Sequence, residues 1–183
     1  RVNVPMIYYH VWDNFPAPYY NAPFYNSNDK VVAISKVTHE IVKTVAPDVA
    51  CEYLPHAVDP QYFKPAKGGE AERKVEAVKK ALLEKNSAIT ANPKKKIFFW
   101  NSRNARRKQS GTVIWWFKEF LDEVGHDKAC LLMHTDARDP HGQDLPHLIE
   151  HLGVNEGQIF LSTNKVPAED MAAMYNACDY TIN

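Results

Sequence analysis

The sequence predicts an α/β fold built on parallel sheets, and three observations carry that expectation. Short apolar runs alternate with segments of helical period along the whole chain, which is the pattern of βαβ units. Hairpin signals between neighbouring runs are missing, so successive strands must be joined by right-handed crossovers. At 183 residues with 45% hydrophobic and 24% charged side chains, the chain is long and apolar enough to bury such a layered core.

Taken in order, residues 4–9 read as a buried strand that ends at His10. The stretch 11–21 is aromatic and punctuated by prolines, which makes it a structured loop rather than a linker. A second strand spans 30–34, and Ser35 caps a helix over 36–45 with Val37, Ile41 and Val45 along one face. Pro47 closes that helix, and 50–54 is a third strand. The run 55–60 reads as a crossing between units, giving expected domains at 1–60 and 61–183. Gly68 and Gly69 open a charged helix over roughly 70–85, in which Val75, Val78 and Leu82 keep helical spacing. After a polar connection, Ile97 to Trp100 form a strand, and a helix over 112–124 places Val113, Phe117, Phe120 and Val124 on its core stripe. Strands at 129–134, 158–161 and 179–182 then alternate with helices at 145–152 and 168–176.

Charge narrows the partners. Lys plus Arg and Asp plus Glu both number 22, so no global field draws the chain to nucleic acid or to an anionic membrane. Three widely spaced cysteines, Cys51, Cys130 and Cys178, suit buried thiols better than a disulfide framework or a zinc site.

The chemistry concentrates in 96–111. A strand stops at Asn101 and Ser102, and four cations follow within six positions: Arg103, Arg106, Arg107 and Lys108. Ser110 stands where an N-cap belongs, ahead of a helix. Strand end, basic loop and helix N-terminus together suit an anion, at the carboxyl edge where open α/β sheets bind ligands. Neither G-x-G-x-x-G nor G-x-x-x-x-G-K-[ST] occurs, so a phosphate must be held by side chains as well as backbone. The competing reading of such a loop is that water simply solvates its charges. The same choice applies to His134, Asp136, Asp139 and His141, which read as a solvated polar loop rather than a metal site. Aromatic residues between Tyr8 and Tyr25 offer either sugar-stacking faces or packing.

The order of these features resembles the retaining glycosyltransferases of family 4 (group 1), which have the GT-B fold of two facing Rossmann-like domains. Residues 5–10 are similar to the strand that ends in the family's His, and 30–36 to its "vi.vS" segment. Leu-Pro-His-Ala-Val-Asp-Pro-Gln-Tyr-Phe-Lys-Pro at 54–65 resembles the interdomain "iPnGvD…F.P". Residues 99–108 resemble the "vGR…KG" motif and 171–183 the "l..ly..aD..v.pS" segment. Three positions depart from the pattern: Ser102, Gln109 and Ala57 stand where the family has glycine.

The resemblance implies the end of an acceptor-side domain followed by the first part of a nucleotide-sugar domain. It expects a Gly-rich loop before residue 1 and an E-x7-E pair after residue 183. It assigns the donor diphosphate to Arg103 and Lys108, a place near the reacting sugar to His10, and the nucleotide base region to Ser162 and Lys165. It implies sugar transfer with retention, without metal or cofactor, from a nucleotide-diphosphate sugar to a glycan, lipid or small-molecule acceptor. The setting would be cytoplasmic or at a membrane surface. The alternatives are a GT-B epimerase or phosphorylase, and a nucleotide-binding or assembly module without catalysis. An open sheet edge would be a place for self-association.

Overall fold

Every strand pairing in the structure is parallel. The computed structural model describes residues 4–85 and 87–183, and the chain divides into two compact units, Arg1–Val58 and Asp59–Asn183.

In the first unit, β1 (Ile7–His10), β2 (Lys30–Ala33) and β3 (Cys51–Tyr53) form one sheet in that order. The aromatic loop after β1 ends in a 3-10 turn at Tyr19–Asn21 that runs into a short helix, α1 (Ala22–Asn26). Helix α2 (Lys36–Val45) is capped as the sequence predicts, because the Ser35 hydroxyl accepts from the Thr38 N–H at 3.0 Å. Its buried face overlaps the expected one at Ile41 and Val45. Thr38, Ile41, Val42 and Val45 point inward, while Val37 is exposed. The Thr38 hydroxyl donates to the Trp12 carbonyl at 2.7 Å, so the polar group on that face is paired. Tyr25 from α1 joins Val31, Ile41 and Val42 in the core.

The second unit begins with α3 (Gly69–Glu84) and continues as β4 (Lys96–Asn101), α4 (Ser110–Val124), β5 (Ala129–His134), α5 (Leu145–His151), β6 (Ile159–Ser162), α6 (Ala168–Ala177) and β7 (Tyr180–Ile182). The sheet order is β6-β5-β4-β7. The strand period of two sends alternate residues to opposite faces. Trp100, Leu131, Met133 and Ile159 pack against Ile114 and Phe117 of α4 and Ile149 of α5. Ile97, Phe99, Cys130 and Leu132 pack against Leu82 of α3 and Met171 and Met174 of α6. Both faces are covered, as a parallel sheet requires.

Of the stripe expected on α4, Phe117 and the partly buried Val113 pack into the core, and the buried face is shifted toward Ile114 and Leu121. Ile114, Phe117 and Leu121 are buried, whereas Phe120 and Val124 are exposed by 37% and 41%. Ser110 and Gly111 are buried with them. Strand order runs outward from β4 to β6 and then returns to the far side of β4 at β7. The reversal between β4 and β7 is the kind of place where open sheets bind ligands beyond their carboxyl ends. Asp179 fastens that return: its carboxylate accepts from the Ile97 N–H at 2.9 Å and from Lys96 Nζ at 2.7 Å.

Candidate functional site

The loop between β4 and α4 carries the predicted cations, and its fixed point is Asn104. This side chain is fully buried. Its Nδ2 donates to the carbonyl of Gln143 at 2.7 Å and to that of Ala137 at 3.4 Å. Its Oδ1 accepts from the Ser110 hydroxyl and from the Gln143 N–H. One amide thus ties the β4–α4 loop to the β5–α5 loop with its hydrogen-bonding capacity filled.

Ser110 is therefore not the N-cap that the sequence suggests. It is the first residue of α4, and Gln109 precedes it in the left-handed region at φ 49° without a side-chain cap. The acceptor at this helix start comes from elsewhere, since Gln143 Oε1 takes the Gly111 N–H at 2.8 Å. Gln109 occupies the position where the resemblance expects glycine, and its backbone explains the expectation, because glycine adopts positive φ without steric cost.

Arg103 reaches across to the same neighbouring loop. Its Nε donates to Asp139 Oδ2 at 2.6 Å, its Nη2 to Asp139 Oδ1 at 3.2 Å, and Nη2 also lies 3.1 Å from His141 Nδ1. The His141 N–H donates to Asp139 Oδ1 at 2.9 Å. The bond from Arg103, followed by that from the His141 backbone, holds the Asp139 carboxyl well below the usual carboxylate range. The Asp139 side chain is 7% exposed and that of Arg103 63%, so a buried carboxylate supports a cation that faces water. Arg106, Arg107 and Lys108 form a 3-10 turn. Their side chains are exposed and, among the described residues, make no ion pair.

The remaining predicted positions are on other elements. His10 ends β1 in the first unit and is buried. Its Nε2 meets the Tyr25 hydroxyl at 2.8 Å and its Nδ1 the Tyr8 hydroxyl at 3.2 Å, and burial lowers its pKa. The aromatic segment around it divides: Tyr25 packs inside, while Phe15, Tyr19 and Tyr20 stand exposed. In the second unit Ser162 ends β6 and its hydroxyl meets His134 Nδ1 at 2.9 Å. Lys165 is exposed in the loop that follows. Register aligns Asn101, His134 and Ser162 in one row at the carboxyl edge of the sheet. At the same edge, the Thr135 hydroxyl is buried with no hydrogen-bond partner among the described residues. Among those residues, no group of three or more His, Cys, Asp or Glu is arranged to hold a metal ion, and no helix is long and apolar enough to cross a membrane.

Asn104, Gln143 and the part played by Asp139 were not legible beforehand. Each acts on a partner 32–39 positions away, and no local pattern marks such a pair. A cavity of about 590 Å³ opens elsewhere in this unit, among Tyr62, Pro65, Lys67, Glu70, Val75 and Ala172. Its charges are of both signs, so it lacks the single polarity that makes the basic loop chemically distinctive.

No family model matches the chain, and no curated protein matches its sequence. Its fold is similar to that of solved structures. One is sucrose-phosphate synthase from Thermosynechococcus elongatus, with a TM-score of 0.59 at 15% identity over 88% of this chain. The likeness covers 36% of that larger protein, so the chain spans about a third of its length. What the two share is the parallel α/β architecture of Rossmann-like units.

Proposed function

We propose that the chain is the nucleotide-sugar-binding part of a GT-B glycosyltransferase, and that the protein containing it transfers a sugar to a glycan, lipid or small-molecule acceptor. The observation that carries this reading is the exposed guanidinium of Arg103 on its buried carboxylate at the carboxyl edge of β4, with Lys108 one turn further on. Two cations so placed offset the charge that builds on a departing diphosphate, and they do so without a metal. The likeness to an enzyme named for making sucrose phosphate supports the same reading, as does the motif resemblance to the retaining family 4 enzymes. On this reading Ser162 and Lys165 border the nucleotide base, His10 serves the reacting sugar, and the configuration at the transferred carbon is retained.

One observation favours a second reading, a nucleotide-binding module without turnover: both ring nitrogens of His10 already have tyrosine partners. Calorimetric titration of the chain with UDP and GDP, in the presence of a chelator, tests the shared premise. Binding that is lost in the Arg103→Ala/Lys108→Ala variant is expected, and equal affinity in wild type and variant would sink it. A product assay on a longer protein containing this chain, screened over nucleotide sugars, then separates transferase from module.

A further inference from the structure

We propose that Asp139 is a positioning residue for the diphosphate site, gripping Arg103 by its Nε–Nη2 edge so that Nη1 is the end presented to a phosphate. The inference rests on the diphosphate reading above and adds the residue that sets the geometry of the cation.

A free arginine must lose side-chain freedom when it takes a phosphate, and that loss weakens binding. Arg103 has lost it already. Asp139 takes the Nε and Nη2 hydrogens on its two oxygens, and the His141 Nδ1 lies beside Nη2. Nη1 makes no hydrogen bond among the described residues.

Two outcomes are open to Arg103 when an anion arrives: to stay, or to leave Asp139 for the ligand. Leaving would take from a carboxylate that is 7% exposed its one cationic side chain, with the His141 N–H left as a neutral donor, and a poorly exposed charge that loses its counter-charge is unfavourable. The guanidinium therefore stays and meets the phosphate end-on. The repulsion between Asp139 and that phosphate is offset by the Arg103 charge paired with it, and the His141 N–H dipole at Oδ1 adds to the offset. The Asn104 bonds to Ala137 and Gln143 keep the loop that carries Asp139 in register with the loop that carries Arg103.

The test is UDP titration of the full chain in four forms: wild type, D139N, R103A and the double variant, each checked for its melting temperature. D139N is expected to weaken UDP binding about tenfold, as misplacing one charge-assisted hydrogen bond to the phosphate would. In the R103A background it should cause no further loss. The Arg103 Nε–H resonance, identified by its disappearance in R103A, should move in D139N, a change that general loosening would not confine to one signal. If R103A weakens binding and D139N does not, Asp139 plays no positioning part and the inference is overturned. If D139N weakens binding equally in both backgrounds, it acts by another route and the inference is likewise overturned. If R103A itself has no effect, the diphosphate reading falls instead. Should D139N fail to fold, D139E displaces the carboxylate by one methylene; weaker binding that vanishes in the R103A background supports the proposal, and unchanged affinity overturns it.

Discussion

The backbone carbonyl of Asn104 lies 2.0 Å from the point that a Cβ on Gly142 would occupy. The Asn104 side chain crowds the same point at 2.5 Å, so the two loops at the carboxyl edge of the second sheet meet with no room for a methyl group. Gly142→Ala should destabilise the second unit by about 1–3 kcal/mol, as overpacking of a tight site does. Urea denaturation followed by circular dichroism measures it. A midpoint equal to wild type would mean that the loops part easily, and that Asn104 is no latch.

Gln109 gives a prediction of the opposite sign. It is the one non-glycine residue at positive φ among those described, at 49°. A side chain in that region costs about 1–2 kcal/mol, and glycine's greater freedom in the unfolded chain takes back about 0.5–1 kcal/mol. Gln109→Gly should therefore stabilise the protein by about 0.5–1 kcal/mol. A lowered midpoint in the same denaturation experiment would contradict the backbone assignment.

His10 links stability to acidity. Burial lowers its pKa below the ordinary 6.5, so the unfolded chain binds a proton that the folded chain resists. Its contribution is complete above pH 6.5 and declines as pH falls from there toward the lowered folded value. His10→Ala should cost about 1–3 kcal/mol at pH 8, since it removes the histidine partner of the buried Tyr25 hydroxyl. The same variant should flatten the stability profile just below pH 6.5. Chemical denaturation at a series of pH values reads both effects, and a profile that stays parallel to wild type would clear His10 of the titration.

The thiols should be inert in the folded state. Burial pushes Cys130 up to about 11 and Cys178 up to about 12, and the thiolate is the reactive form. Iodoacetamide at pH 8 should leave both unmodified in the native protein and label both in denaturant, as mass spectrometry would reveal. Rapid native labelling at Cys130 would mean that the sheet opens far more often than its packing implies.

How much was legible in the sequence follows from the range of each interaction. Strand β5 falls at 129–134 as expected because its run of apolar residues is buried on both faces, a property of the segment alone. The start of α2 was legible for the same reason, since Ser35 and Thr38 are three positions apart. The faces of α2 and α4 were legible in part: Ile41, Val45 and Phe117 are buried as expected, while Thr38 and Ser110 are buried with bonds to the Trp12 carbonyl and the Asn104 amide that no apolar pattern marks. The cations of the basic loop could be counted from the sequence. That Arg103 would be held by Asp139, from a cluster that reads locally as a solvated loop, depends on two loops meeting 36 positions apart.

One of the two inner strands of the second sheet completes its pairing late. β4 sits between β5 and β7, yet the residue that fastens β7 to it, Asp179, lies 82 positions after Ile97. At about 5–20 residues per second, a ribosome needs about 4–16 s to cover that distance. Throughout that interval the edge of β4 that β7 will pair, along Phe98, Phe99 and Trp100, has no partner strand. The arrangement that closes the finished sheet therefore exposes an apolar strand to chaperones, or to neighbouring nascent chains, for seconds on every round of synthesis.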